Sequence, residues 1–353
     1  MTSLRELALL RLVAQRIAGP PVPGAAATVR RLTCVQAQDL PGALTSVALR
    51  TAGRSRADVE AALTGGEVVR SWPMRGTLHL VPAEDLHWLL ELLGPRALAG
   101  AAQRRANLGL TEADTERARE LAVAALRGGG RLGRQQLLGV LADGGVEITG
   151  QRGYHLLWYL AQTGTLCLGP MDDGEQLFVL LDEWVPRPRH LDPEEALGEL
   201  AARFFTGHGP ATVADLARWA GLKVGDVRAG LARARPGLAA LAVEGREYLM
   251  APETPDLLAD CRAEAEGLFL LPGFDEFVLG YADRSCALPA EFAERIVPGR
   301  NGVFRPTVVL GGRIVGTWQW TGRGARRSVT ATPFTAFPDD VAAAIPEAAA
   351  ALP

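Results

Sequence analysis

Along much of this chain apolar residues recur about every 3.6 positions, giving way at intervals to short runs that alternate at every second position. The first pattern predicts helices with one buried face, the second strands with one buried side. Residues 112–127 carry the helical period until three glycines at 128–130 break it, and residues 133–142 and 151–163 predict two further helices. Residues 166–168 and 176–181 then alternate on either side of Asp172-Asp173-Gly174, as two strands joined by a turn would. The same order is written again: helices over 193–205, 213–220 and 224–234, then strands over 238–243 and 248–250 about Glu244-Gly245-Arg246. Thr212 is placed to cap the middle helix. A degenerate copy precedes both, with helices over 4–17, 25–37 and 57–63 and strands over 68–73 and 76–81. Three helices closed by a β-hairpin is the winged-helix plan, repeated here with a period of about 80 residues.

After residue 265 the pattern changes. Residues 268–271 predict a strand, and residues 307–310 and 313–320 alternate around Gly311-Gly312, a hairpin signal. Residues 341–351 predict a terminal helix that Pro346 would kink or delay. Pro186-Arg187-Pro188-Arg189 reads as a stiff linker. The expected fold class is therefore α+β, mainly α. It consists of three tandem winged-helix units over 1–105, 106–190 and 191–265, and a small β-rich C-terminal part over 266–353.

Composition narrows the function less than the pattern narrows the fold. The 353 residues are 48% hydrophobic and 22% charged, the balance of an ordinary soluble globular protein, and a formal charge of −3 announces no nucleic-acid partner. The type of cation says more, because Lys223 is the only lysine among 37 basic residues. GC-rich coding bias, in keeping with abundant Ala and Gly, accounts for much of this. Its chemical consequence stands all the same: arginine forks fit phosphate oxygens and guanine edges, and a Schiff-base lyase would have almost no lysine to use. Cys34, Cys167, Cys261 and Cys286 lie far apart, with no Cys/His spacing suited to a metal, so free thiols and no metal are expected. No signal-peptide pattern and no apolar run near the ~20 residues of a membrane span are found, which predicts a cytoplasmic, nucleoid-associated protein with no membrane partner. Nucleotide-binding glycine loops are absent in any convincing context, which disfavours nucleotide hydrolysis and hydride transfer.

Three segments carry candidate chemistry. The first is Gln36-Ala37-Gln38, set within Leu32-Thr33-Cys34-Val35-Gln36-Ala37-Gln38-Asp39-Leu40. The second is Arg70-Ser71-Trp72-Pro73-Met74-Arg75-Gly76-Thr77-Leu78-His79-Leu80-Val81. The third runs Leu271-Pro272-Gly273-Phe274-Asp275-Glu276-Phe277-Val278-Leu279-Gly280-Tyr281-Ala282-Asp283-Arg284. In that order and at those distances they resemble the winged-helix DNA glycosylases related to AlkZ and YcaQ, from residue 5 to residue 335. The resemblance implies that Gln36 and Gln38 are the catalytic pair. YcaQ-like members carry Gln-x-Asp, so Gln38 places this chain on the AlkZ side, and Asp39 leaves an acidic contribution open.

In a regular helix residues i and i+2 lie about 200° apart and would not share a pocket. The pair must therefore sit in a bent segment, at a helix end, or in an extended stretch with Ala37 turned into the core. Glutamine cannot take a full proton, but its carbonyl accepts and its amide donates. That suits a purine already made cationic by N-alkylation, which departs without a general acid. The enzyme then has to stabilise an oxocarbenium-like sugar and hold a water at C1′, tasks for oriented amide dipoles. A neutral base would call for a carboxylate and a protonating group.

Candidate DNA contacts are arginine-rich. Strand alternation puts Arg75, Thr77 and His79 on one face, able to meet a DNA backbone or line a pocket. Arg300, Asn301 and Arg305 precede the Gly311-Gly312 hairpin, and Arg323, Arg326 and Arg327 follow it; the resemblance implies a β-hairpin near the minor groove. Arg104 and Arg105 are weaker candidates. Asp275 with an arginine such as Arg284 would make a turn-stabilising ion pair, while Tyr281 would stack on a base or fill the core. Gln151-Arg152-Gly153-Tyr154-His155 opens the expected recognition helix of the second unit.

The expected activity is monofunctional hydrolysis of the N-glycosidic bond of N-alkylated purines such as N7-alkylguanine, bulky adducts and interstrand crosslinks included. The partner is duplex DNA containing alkylated purines, and the enzyme is a monomer with no cofactor. A non-enzymatic winged-helix transcription regulator is the competing class; it predicts sequence-specific binding, dimerisation and indifference to Gln36→Ala. A protein that sequesters a genotoxin without cleaving anything is a third reading.

Overall fold

The computed structural model describes residues 3–322 and 327–353. Its fold class is α+β, mainly α. By contacts the chain forms two compact units, residues 1–58 with 197–353, and residues 59–196. The four-segment division drawn from the sequence is finer than this grouping.

In the 59–196 unit the helices Glu112–Leu126, Arg134–Asp143 and Arg152–Gln162 precede the strands Leu166–Asp172 and Glu175–Leu180, the order the periodicity predicts. The earlier hairpin, Val68–Met74 with Thr77–Pro82, joins that wing in one antiparallel sheet through the Val68–Met74 and Leu166–Asp172 strands. Leu137, Leu141, Leu156, Leu160, Leu166 and Phe178 form the core between helices and sheet.

In the other unit the helices Pro193–His208, Val213–Ala220 and Val224–Ala234 lead into the hairpin Ala239–Val243/Arg246–Met250. Thr212 caps as expected: its hydroxyl accepts from Asp215 N at 3.1 Å, and the Asp215 carboxylate returns to Thr212 N at 2.8 Å. Helices Leu4–Ala14 and Thr254–Ala265 pack together over a core containing Leu9, Leu12, Leu258 and Phe277. The C-terminal sheet is a meander of Leu268–Leu271, Thr307–Leu310, Arg313–Thr321 and Ser328–Pro333. The last of these strands extends beyond what the periodicity shows. Helix Asp339–Ala350 covers the sheet and runs through Pro346. The carbonyl that proline leaves without its helical donor belongs to Ala342, which is exposed to water.

Four hairpins close with the same two-residue loop, Arg75-Gly76, Asp173-Gly174, Glu244-Gly245 and Gly311-Gly312, with φ positive at both positions. This is the turn whose twist matches the strands it joins. Among the described residues no helix is long and apolar enough to cross a membrane.

Candidate active site

The expected helix over 25–37 stops at Leu32, because Thr33 turns to φ 66° and ψ −56°. Cys34 N donates to Leu32 O at 2.8 Å, closing a three-residue γ-turn around a β-branched residue. Beyond it Val35–Gln36 is extended, and Asp39 and Pro41 start the helix Leu40–Leu49. The extended alternative is the one adopted: Ala37 is fully buried, Gln36 is 5% exposed, and Gln38 and Asp39 face solvent. The two glutamines still meet, since residue 38 follows a bend. Gln36 Nε2 donates to Gln38 Oε1 at 3.2 Å, and Gln38 N donates to Gln36 Oε1 at 3.3 Å. Both ends of the Gln36 amide are thus engaged by residue 38, and Gln38 presents the outer edge of the pair. The Asp39 carboxylate makes no hydrogen bond to its own helix.

The pair is anchored by a residue the sequence reading passed over. Glu276 is buried, and its Oε1 accepts from Gln36 N at 3.2 Å. Its Oε2 accepts from Trp219 Nε1 at 2.9 Å and lies 3.3 Å from His208 Nε2. His208 Nδ1 is buried without a hydrogen-bond partner among the described residues, so Nε2 is the ring nitrogen placed to donate, facing Glu276. The ring stacks on Phe204 at 4.7 Å. A Cβ at Gly280 would come within 2.6 Å of the His208 ring, so only glycine admits the imidazole there.

The preceding residue is held differently. Asp275 caps the turn Glu276–Leu279 by accepting from Phe277 N, and the Arg50 guanidinium grips it in a fork, Nη2 to Oδ1 at 2.8 Å and Nη1 to Oδ2 at 2.9 Å. Ser46 Oγ adds a third donor at 2.7 Å. Gln15 accepts from Arg50 Nε and Nη2 through its backbone and side-chain oxygens, and Ser46 O accepts from Nη1 at 2.8 Å. Burial pushes the Asp275 carboxyl up, but the Arg50 charge and the Arg50, Ser46 and Phe277 hydrogen bonds outweigh it and hold it below the usual range. Phe274, immediately before, has φ 60°, so each half of the site is preceded by a non-glycine residue in the left-handed region.

This geometry corrects several expectations. The partner of Asp275 is Arg50, not Arg284, which donates to Val278 O instead. Tyr281 fills the core: it is buried beneath Arg11, 3.6 Å from ring centroid to guanidinium carbon, and donates to His208 O. In the 59–196 unit, Arg75 and His79 do not share a strand face. Arg75 is the first loop residue of its hairpin, with φ 54°, and is exposed. His79 is fully buried, its Nδ1 2.8 Å from Thr77 O, so direct contact with a DNA backbone is closed to it as it stands. Arg152 is turned inward, donating to Leu108 O and lying near Asp114 and Glu147 rather than heading an outward recognition helix.

Around the C-terminal sheet, Arg300 ends the short turn Pro298–Arg300. Asn301 and Arg305 are exposed, and Asn301 Oδ1 accepts from Val303 N. Arg323 and Arg326 lie outside the described residues. Arg327 stands 3.9 Å over the ring of Trp320, an exposed tryptophan that the sequence reading left unremarked. No group of three or more His, Cys, Asp or Glu among the described residues is arranged to hold a metal ion.

Glu276, Arg50, Ser46, His208 and Trp219 are the residues that sequence reasoning missed. One signal was available for the first of them: Asp275-Glu276 puts two carboxylates inside an apolar run from Leu268 to Leu279, and buried carboxylates need partners. What those partners are depends on residues some 60 to 240 positions away, where no pattern reaches.

Residues 29–353 match the model of a family described as DNA glycosylase AlkZ-like. An interstrand DNA cross-link repair glycosylase of Streptomyces sahachiroi is 29% identical over 331 residues, covering 90% of this chain and 88% of that protein. The solved structure of Streptomyces sahachiroi DNA glycosylase AlkZ superposes with a TM-score of 0.81 at 26% identity, over 99% of this chain and 96% of that one. With its fold and nearly its whole length accounted for in this way, the chain belongs to the AlkZ-like family of DNA glycosylases.

Proposed function

We propose that this glycosylase releases N-alkylated, cationic purines such as N7-alkylguanine from duplex DNA, as a monomer, and that bulky adducts and interstrand crosslinks are among its substrates. The observation that carries the reading is the closed amide pair: Gln36 bound at both ends by residue 38, fixed from behind by Glu276, with Gln38 facing outward. An amide cannot protonate a leaving base, and a purine alkylated at N7 does not require it to. The remaining need is a fixed dipole beside C1′, which Gln38 Oε1 supplies to the developing sugar cation and to the attacking water. Gln36 orients Gln38 and holds its own carbonyl toward the same place. The Asp39 carboxylate, one residue further and unengaged by its helix, adds negative potential on the solvent side. The crosslinked substrates rest on the activity named for the Streptomyces relative.

The test is base release from two duplexes, one with a single N7-methylguanine and one with an N7–N7 interstrand crosslink. Multiple turnover on both, lost in Gln38→Ala, is expected. Sequence-specific binding of undamaged DNA with no release from either duplex would replace the enzyme with a regulator.

A further inference from the structure

We propose that Tyr281 and Gln15 are positioning residues for the glutamine pair, because they join the Asp275 clamp to Glu276 in one directed circuit of hydrogen bonds. The inference rests on the reading that Gln36 and Gln38 carry the reaction. Every residue of the circuit belongs to the unit formed by residues 1–58 and 197–353.

The circuit starts at the buried carboxylate of Asp275, whose two oxygens fix the Arg50 guanidinium. Arg50 Nη2 also donates to Gln15 Oε1 at 2.9 Å. A guanidinium has donors only, so the Gln15 carbonyl must face it and the amide nitrogen must point away. Gln15 is fully buried at the end of helix Leu4–Ala14, and its Nε2 donates to Tyr281 Oη at 2.9 Å. With its oxygen receiving from Gln15, the Tyr281 hydroxyl sends its own proton onward to His208 O at 2.7 Å. Burial pushes the phenol up, against the Arg11 charge and the Gln15 hydrogen bond, so it stays protonated and able to donate at neutral pH. The direction of each bond is therefore set by the one before it, back to the charge on Arg50.

His208 is the last residue of helix Pro193–His208, and its carbonyl is among those that a helix end leaves without an intrahelical donor. The Tyr281 hydroxyl supplies one, and so holds the residue whose ring lies 3.3 Å from Glu276 Oε2. The backbone around Tyr281 reaches the other group on that oxygen. Arg218 Nη1 donates to Tyr281 O at 3.2 Å and Asp215 Oδ1 accepts from Ala282 N at 2.8 Å, which ties the same segment to helix Val213–Ala220 and its Trp219. Because Asp275 and Glu276 are consecutive, the circuit closes on itself, with Gln36 N held at Glu276 Oε1. A tyrosine that merely filled the core would need its ring and not its hydroxyl. Phenylalanine at 281 keeps the ring under Arg11 and removes only the link.

The experiment uses the full chain with Tyr281→Phe, Gln15→Met and Gln38→Ala, alone and combined. Three quantities are read: single-turnover release of N7-methylguanine from a duplex at saturating enzyme, affinity for that duplex, and hydrogen exchange of the Gln36 backbone amide. Tyr281→Phe is expected to slow release about tenfold, the equivalent of one buried hydrogen bond, with affinity unchanged and the Gln36 amide exchanging faster. Gln15→Met should do the same, and the two together should be no slower than the slower one alone, since both break a single circuit. Beside Gln38→Ala, where the pair is already broken, Tyr281→Phe should cost less than it does alone. A merely structural hydroxyl would lower the unfolding midpoint and leave the folded enzyme at the wild-type rate. That rate, or an unchanged Gln36 exchange, overturns the proposal; so does an equal loss beside Gln38→Ala. Should Tyr281→Phe fail to fold, Gln15→Met carries the same readouts. If Gln38→Ala itself releases base as fast as the wild type, the catalytic reading is what fails, and Gln36 exchange alone then decides whether the circuit holds that strand.

Discussion

Asp275 and Glu276 are adjacent in the chain and both buried, yet they anchor two regions of opposite character. On the Asp275 side a full charge meets a full charge: one guanidinium, with its fork, Ser46 and Gln15, satisfies every oxygen in reach. On the Glu276 side Gln36 N and Trp219 Nε1 donate to the carboxylate and the His208 ring lies against it, and beyond Gln36 the site opens to solvent as a pair of uncharged amides. The contrast separates two jobs. Charge compensation in a dry interior fixes where the segment sits, while neutral dipoles at the rim are free to respond to charge that arrives with a substrate.

The sharpest way to break the comparison is at Arg50. Arg50→Met leaves the Asp275 carboxylate buried and uncompensated, and is expected to cost about 3–5 kcal/mol in urea unfolding. Acid should dissect the same clamp. With its folded value held below the ordinary one, Asp275 contributes stability that is complete above its unfolded value near pH 4 and is lost as pH falls through the folded value. Each unit of that difference is worth about 1.4 kcal/mol. Stability curves between about pH 5 and 2 should therefore fall more steeply for the wild type than for an Arg50→Met/Asp275→Leu double variant. Parallel curves would show that Asp275, with its ion pair and its hydrogen bonds together, adds no pH-dependent stability.

Mutations on the rim should do the reverse. Gln38→Ala is expected to lower base release by about 10²–10³-fold, the cost of losing one preorganised dipole, with the unfolding midpoint unchanged because Gln38 is exposed. A midpoint that drops with the rate would mean that the amide pair is structural. Glu276→Gln lies between the two regions. Its amide presents a donor toward Gln36 N, Trp219 Nε1 or His208 Nε2, and one unmet buried donor costs about 1–3 kcal/mol. The prediction is loss of both stability and rate, with the rate loss smaller than that of Gln38→Ala; base release measured beside urea unfolding decides.

The same contrast explains what could be read from the sequence. The helices after residue 111, the hairpin loops and the Gln-x-Gln pair are local features, set by periodicity, by glycine at positive φ and by a motif three residues long. The helix, strand and hairpin order of the two clear repeats was legible for that reason. Arg50 with Asp275, and Gln36 with Glu276, join residues separated by 225 and 240 positions, and nothing in either segment specifies its partner. The faces of short strands were misjudged for a related reason: Arg75 falls in a two-residue loop, where alternation no longer applies, and His79 is covered although its alternation reads as an outward face. Helix Thr254–Ala265, kinked at Cys261 where φ is −122°, is an element the periodicity reading did not assign.

The smallest expected effect tests whether the join between these regions stores strain. Thr33 is β-branched, sits at φ 66°, and buries a hydroxyl with no hydrogen-bond partner among the described residues, three residues before Gln36. Such a backbone costs about 1–3 kcal/mol and persists only where its surroundings force it. Glycine removes that cost and the buried hydroxyl, but loses more entropy on folding, about 0.5–1 kcal/mol relative to alanine. Thr33 is also fully buried, so the lost methyl packing offsets part of this, and Thr33→Gly should stay within about 1 kcal/mol of the wild type in urea unfolding. If the γ-turn sets the register of Gln36 against Glu276, the same variant releases base several-fold more slowly, because glycine lets residues 34–36 wander. A rate equal to that of the wild type would leave the anchoring of the pair to Glu276, and would make the strain at Thr33 a consequence of packing rather than a device for positioning Gln36.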